Sequence, residues 1–122
     1  MTTVAVVYFS ALGATEKLAR QVINGINKVE DVKAIEYQIQ GRDIFEGRFD
    51  NDEILSVLDN ADAIIFGSPT YMGSVAAQFK AFADATSDRW DSQQWRNKIA
   101  AGFTVGSCLN GDQTNTLKYF ST

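Results

Sequence analysis

The segment TVAVVYFSALGATEKLAR, Thr3 to Arg20, constrains the fold more than any other part of the chain. Thr3 to Phe9 is apolar almost throughout and rich in β-branched and aromatic residues, the composition of a strand buried on both faces of a parallel sheet. The run stops at Ser10-Ala11-Leu12-Gly13-Ala14-Thr15, and a helical pattern begins at about Ala14, with Leu18, Val22 and Ile26 on one stripe. A strand, a tight turn and a helix N-terminus therefore follow one another. Such a turn leaves the first helical amides unpaired and presents the positive end of the helix dipole, so a phosphate can be held there without Lys or Arg. Ser10 and Thr15 add hydroxyl donors. The same residues also suit an ordinary helix start, with Gly13 and Glu16 in a capping arrangement, and the segment alone leaves both readings open.

What the turn lacks narrows the ligand. It has one Gly where a dinucleotide fingerprint needs three, and Ala14-Thr15 follow Gly13 where a nucleotide-binding P-loop needs Lys-Ser/Thr. Glu36 sits about where a ribose-binding acid would fall, but its alternation with Ile35 and Tyr37 reads as a solvent-facing strand position. A single terminal phosphate fits better than NAD or ATP.

The 122 residues, 45% of them hydrophobic, are expected to form one domain over 1–122 with room for one site. A net charge of −4 with no run of Lys or Arg argues against nucleic acid or an anionic membrane as a standing partner. The absence of His removes Ser-His and Cys-His catalysis and most transition-metal sites, leaving a cofactor or carboxylates to supply any chemistry. A single Cys cannot form an internal disulfide, and neither a membrane span nor a signal-peptide pattern is evident, so a cytoplasmic location is expected.

Further along, Val32 to Ile39 reads as a second strand near a sheet edge, Arg42 to Asp52 as a loop folded over the sheet top, and Asn51 or Asp52 as the cap of a short helix through about Leu58. Ala61 to Gly67 is a short buried strand. Ser68-Pro69-Thr70-Tyr71-Met72-Gly73-Ser74 reads as a turn whose backbone amides could face a flat ligand while Tyr71 stacks on it, or as a plain Pro-Gly turn into a helix from Val75 to Ala85. Asp88 to Gln94 is a polar connection, Lys98 to Val105 a fourth strand, and Gly106 to Gln113 a third loop of small residues. Cys108 lacks both a neighbouring cation and the Arg that a Cys-based phosphatase would carry at position 114, and reads as a small loop residue. Strands alternating with helices imply right-handed βαβ units and a parallel sheet, with ligands beyond the carboxyl ends of the strands.

Those three post-strand loops, Ser10 to Thr15, Pro69 to Gly73 and Ser107 to Gln113, resemble in order and spacing the FMN-binding loops of the flavodoxin-like superfamily. The stretch SPTYMGSVAAQFKAF resembles its NAD(P)H:quinone oxidoreductases of the tryptophan-repressor-binding-protein type. The resemblance implies an α/β, doubly wound parallel sheet of order 2-1-3-4. It also implies a fifth strand and a final helix that this chain lacks, since Thr122 falls inside the fourth helix; strand four is then expected to be an exposed edge and the protein a homo-oligomer. Carried over residue by residue, Ser10, Leu12, Gly13, Ala14 and Thr15 would hold the FMN phosphate, and Pro69, Thr70, Tyr71, Met72 and Gly73 would line the isoalloxazine. Ser107, Asn110, Gly111 and Asp112 would close over the ring and ribityl chain. None is a general acid or base, and no metal is implied. The activity implied is FMN-dependent reduction of quinones or similar small acceptors by NAD(P)H; a flavodoxin-type electron carrier, or a short domain binding FMN weakly or not at all, are the other readings.

Overall fold

The computed structural model describes residues 1–109 and 111–122; Asn110, one of the sequence-assigned loop residues, lies outside the described residues. The elements in order are β1 (Thr2–Tyr8), α1 (Ala14–Asn27), β2 (Val32–Gln38), a 3₁₀ turn (Gly41–Asp43), β3 (Ile44–Phe45), β4 (Arg48–Phe49), α2 (Asp52–Asp59), β5 (Ala63–Tyr71), β6 (Ser74–Val75), α3 (Ala77–Ala85), α4 (Ser87–Ser92), β7 (Ile99–Val105) and α5 (Gln113–Phe120). Four strands form a parallel sheet in the order β2-β1-β5-β7, and β6 pairs antiparallel with the end of β5. This is the flavodoxin-like order 2-1-3-4 expected from the sequence. Among the described residues β7 pairs with β5 alone, so its other edge is open.

β1 is central because it can bury both faces. Ala5, Val7 and Phe9 join a core with Ile54, Leu55 and Leu58 of α2 and Phe79 and Phe82 of α3, while the alternate residues Val6 and Tyr8 pack with Ala19 of α1. The stripe of α1 runs through Ala19, Val22, Ile23 and Ile26; Leu18, placed on it by the sequence pattern, lies beside it and is partly exposed.

Two boundaries and two added elements depart from expectation. The strand assigned to Ala61–Gly67 runs on through Ser68 to Tyr71, so the supposed turn is a hairpin arm, and Val75 belongs to β6 rather than to α3. Pro69 is tolerated because Gly67 accepts the Phe9 amide on the β1 side; Pro69, two residues on, faces that side beyond the last β1 partner, where no N–H is needed. The connection after α3 contains the helix α4, and the loop over the sheet top contains the small β3–β4 hairpin. The buried carboxylate of Asp43 ties that excursion down, accepting from the Tyr37 hydroxyl, from the Gln40 amide at 2.9 Å and from Asn51 Nδ2 at 3.2 Å, while Asn51 Oδ1 caps α2 at the Ile54 amide. Burial and the bond to Asp43 push the Tyr37 phenol up to about 12.

A second anchor holds α4 and the start of β7. Asp59, at the C-terminus of α2, takes Arg89 Nε at 2.9 Å and its terminal nitrogen at 3.0 Å, and Trp95 Nε1 at 2.7 Å. Arg89 holds the Asp59 carboxyl below the usual carboxylate range. Lys98 Nζ adds bonds to the carbonyls of Asp59 and Ala61, setting cationic donors on the negative end of the α2 dipole.

Candidate functional site

The carboxyl ends of β1, β5 and β7 meet around a cleft of about 250 Å³. It lies between the two strands from which connections run in opposite directions, the usual ligand position in an open α/β sheet. Of the sequence-assigned residues, Ser10, Leu12, Ala14, Thr15, Pro69, Thr70, Tyr71 and Ser107 line it. Gly13, Met72, Gly73, Gly111 and Asp112 do not. Ala11, Val105 and Gly106 line it as well and were missed; their one sequence signal is position, directly after a strand.

The residues off the lining shape the loops. Gly13, with φ at +98°, makes the turn from the first loop into α1, and nothing crowds the space a side chain there would take. Met72 and Gly73 occupy the two-residue turn between β5 and β6 at φ of 51° and 79°, the positive values of a type I′ hairpin. Asp112 precedes α5 at its N-cap position.

At the first loop, Ser10 Oγ accepts the amides of Gly13 and Glu16, each at 3.2 Å, and so caps α1 from outside the helix. Its own O–H is left as a donor. The amides of Ala14 and Thr15 have no partner among the described residues. Helix start and anion cradle are thus compatible: the serine fills one part of the first turn and leaves another part open. Among the described residues, no Asp, Glu, Lys or Arg lines the cleft.

The second loop is held from behind by α5 through three hydroxyls whose direction is fixed. Thr104 Oγ1 donates to the Ser68 carbonyl at 2.7 Å, so it must accept from Thr70 Oγ1, 2.7 Å away, and Thr70 in turn accepts from Thr116 Oγ1 at 2.8 Å. Asn115 Nδ2 donates to the Gly73 carbonyl at 2.5 Å. On the other side, the buried Ser68 hydroxyl donates to the Pro69 carbonyl and accepts the Ala76 amide, both at 2.9 Å. The hairpin carrying Tyr71 is therefore clamped between α5 and the start of α3. One acceptor in this region is unmatched: Asp112 Oδ1 is buried with no donor among the described residues.

A larger cleft, of about 560 Å³, opens between α3, α4 and α5 against Phe66, Phe79, Trp90, Trp95 and Phe120. It is aromatic and holds none of the sequence-assigned loop residues.

The fold and the strand-end cleft define a flavodoxin-like protein. The model of the NADPH-dependent FMN reductase family matches residues 3–118, and the chain belongs to that family. Among its relatives, Flavodoxin FldP of Pseudomonas aeruginosa is 42% identical over 117 residues, which are 96% of this chain and 58% of that protein. An NAD(P)H dehydrogenase (quinone) of Syntrophus aciditrophicus is 30% identical over 132 residues, covering 98% of this chain and 65% of that one. The chain thus spans about three fifths of the length of these curated relatives. The crystal structure of a flavodoxin, WrbA-like protein from Agrobacterium tumefaciens superimposes with a TM-score of 0.83 at 42% identity, over 99% of this chain and 70% of the other.

FMN fits the donor set. Two open first-turn amides and the Ser10 hydroxyl suit a phosphate held without cations.

Proposed function

We propose that residues 1–122 form one FMN-binding oxidoreductase domain that uses NAD(P)H to reduce quinones or similar small acceptors. The observation that carries this reading is the cleft itself, where a helix start with open amides and two loops of uncharged residues converge at the strand ends. In this reading Ser10, Leu12, Gly13, Ala14 and Thr15 seat the phosphate, the amides of Ala14 and Thr15 and the Ser10 hydroxyl donating to it. Pro69, Thr70, Tyr71, Met72 and Gly73 form the wall for the ring, with Tyr71 placed to stack. Ser107, Asn110, Gly111 and Asp112 close the third side. The chemistry FMN supplies when bound is two-electron transfer from a reduced nicotinamide to an acceptor. The chain's own residues bind, orient and shield; among the described residues, none that lines the cleft is a carboxylate, ammonium or guanidinium that could move a proton.

The names of the Syntrophus relative and of the family model support a reductase. A second reading, a flavodoxin-type electron carrier, is favoured by the name of the 42% identical Pseudomonas relative and by the acidic net charge. A visible spectrum of the purified protein tests both, because each requires flavin absorbance; NAD(P)H oxidation with a soluble quinone then separates them, and a colourless protein that takes up no added FMN refutes both.

The remaining partner and location readings are of the same kind. The open edge of β7, where Ala100, Ala101 and Gly102 are exposed and Ile99 is 73% exposed, supports pairing between copies as a homo-oligomer. Light scattering across a concentration series tests it, a monodisperse monomer refuting it. No described helix is long and apolar enough to cross a membrane, and we place the domain in the cytoplasm.

A further inference from the structure

The side of β7 turned toward α5 is made of small residues. Gly102 and Thr104, with Gly106 one residue past the strand end, alternate onto that side. A Cβ on either glycine would run into the helix: at Gly102 it would lie 2.5 Å from Phe120 Cδ2, and at Gly106 2.5 Å from Gln113 Nε2 and 2.9 Å from its Cγ. The helix α5 thus runs antiparallel to β7, with its last turn over Gly102 and its first turn over Gly106. Gly106 is itself part of the strand-end cleft, so the first turn of α5 stands against a wall of the site.

From that turn two amide side chains reach backbone carbonyls in two different loops. Gln113 Nε2 donates to the Cys108 carbonyl at 2.7 Å, on the third loop, and Asn115 Nδ2 donates to the Gly73 carbonyl at 2.5 Å, in the turn between β5 and β6. Neither residue lines the cleft. Both bonds are exposed, so water can replace them and their net contribution to stability is small. Their effect is to orient: each ties one peptide of a loop to the helix that the glycines of β7 bring close. Among the described residues no hydrogen bond joins either side chain to the first loop, Ser10 to Thr15.

We propose that Gln113 and Asn115 are positioning residues for the flavin ring, holding the third loop and the β5–β6 turn in register from one turn of α5. This rests on the placement of the ring between those loops. Recognition of the ring is then governed by α5 and recognition of the phosphate by α1, two helices on different loops of one cleft. A loop released from its tie spends part of its time out of place, and the apparent affinity for the ring falls by the fraction of chains still competent to bind.

The test titrates flavin-free protein with FMN and with riboflavin, which has the ring but no phosphate, and records the absorption bands of the bound flavin. Gln113→Ala and Asn115→Ala are each expected to weaken both flavins by the same factor, about threefold to tenfold, and to shift the bands. The ratio of the two affinities stays at the parent's value, and so do the urea midpoints without flavin. Gln113→Glu keeps the length of the side chain but sets a carboxylate against the Cys108 carbonyl, and weakens both flavins at least as much as Gln113→Ala. Gly106→Ala weakens both in the parent but adds nothing in the Gln113→Ala background, where the atoms its Cβ would meet are gone. Variants that bind both flavins as the parent does overturn the proposal, as do a loss confined to FMN or a fall in urea midpoint with affinity unchanged. A Gly106→Ala effect of equal size in both backgrounds also overturns it. All of these leave the flavin reading standing, whereas a parent protein that takes up neither flavin overturns that reading as well.

Discussion

The hydroxyl chain Thr116 to Thr70 to Thr104 to the Ser68 carbonyl makes a quantitative prediction, because its direction follows from counting protons. Thr116→Val keeps the shape and removes only a donor, leaving one lone pair of Thr70 unfilled; about 1 kcal/mol of stability is lost. Thr70→Val removes the central member, so the fully buried Thr116 O–H has no acceptor and Thr104 loses its donor. That orphaned donor raises the cost to about 2 to 3 kcal/mol. In the double variant Thr70→Val, Thr116→Val the orphan is gone, and the combined loss falls short of the sum of the two single losses by about 1 kcal/mol or more. Urea denaturation with a common slope is the assay, since all three variants expose the same surface on unfolding. Losses that add to within about 0.4 kcal/mol would show the two hydroxyls to be independent and refute the directed chain. The same variants loosen the hairpin that carries Tyr71, so flavin affinity, measured alongside, falls in the order of their stability losses.

Ser10→Ala has two separable effects: loss of the cap on α1, costing about 1 kcal/mol of stability, and a weaker hold on FMN by roughly 1 to 2 kcal/mol, read by denaturation without flavin and by flavin titration. Gly13→Val lowers stability by about 1 kcal/mol or more through its φ of +98° rather than through a clash, and unchanged flavin affinity in both variants would move the phosphate elsewhere. Tyr71→Ala lowers the affinity for FMN and for riboflavin alike by about 0.5 to 1.5 kcal/mol, as lost stacking should, and an effect on FMN alone would place Tyr71 at the phosphate instead. With pH, Asp59 has a carboxyl lowered in the folded state by Arg89, so its contribution is present above the unfolded carboxylate value and is lost as pH falls through the folded one. Tyr37 is raised to about 12 in the folded state, so stability falls as pH rises from about 10 through 12; urea midpoints across pH check both, and Tyr37→Phe should flatten the alkaline fall.

The parallel sheet and the three loops were legible because they rest on long-range patterning, an apolar run that must be buried on both faces and small residues after each strand, whereas the strand order came from the family resemblance. Local punctuation misled. Pro69 and Gly73 looked like the bounds of one turn, whereas the strand continues past Pro69 because that residue faces beyond the end of β1, a fact set by register and invisible locally. The helix α4 has six residues and no apolar stripe; its place is fixed by Arg89 and Trp95 reaching Asp59, partners 30 and 36 positions away. The clamp behind the hairpin escaped notice for the same reason, as Thr70 and Thr116 are 46 residues apart and threonines carry no periodic signal. Leu18 was misplaced by a spacing that suits two neighbouring stripes of α1 equally well.

The central position of β1 has a consequence during synthesis. Val4 pairs with Ala34 on one side and Ala63 on the other, so β1 precedes both of its neighbours in synthesis and waits for β5 before its second flank is filled. At about 5 to 20 residues per second the ribosome needs roughly 3 to 12 s to make the intervening chain. For that interval Val4 to Tyr8 is a sticky segment with at most one flank occupied. A nascent chain of this design depends on early closure of β1 onto β2 and α1, or on a chaperone binding that stretch, and pausing between positions 39 and 62 would raise the fraction lost to aggregation.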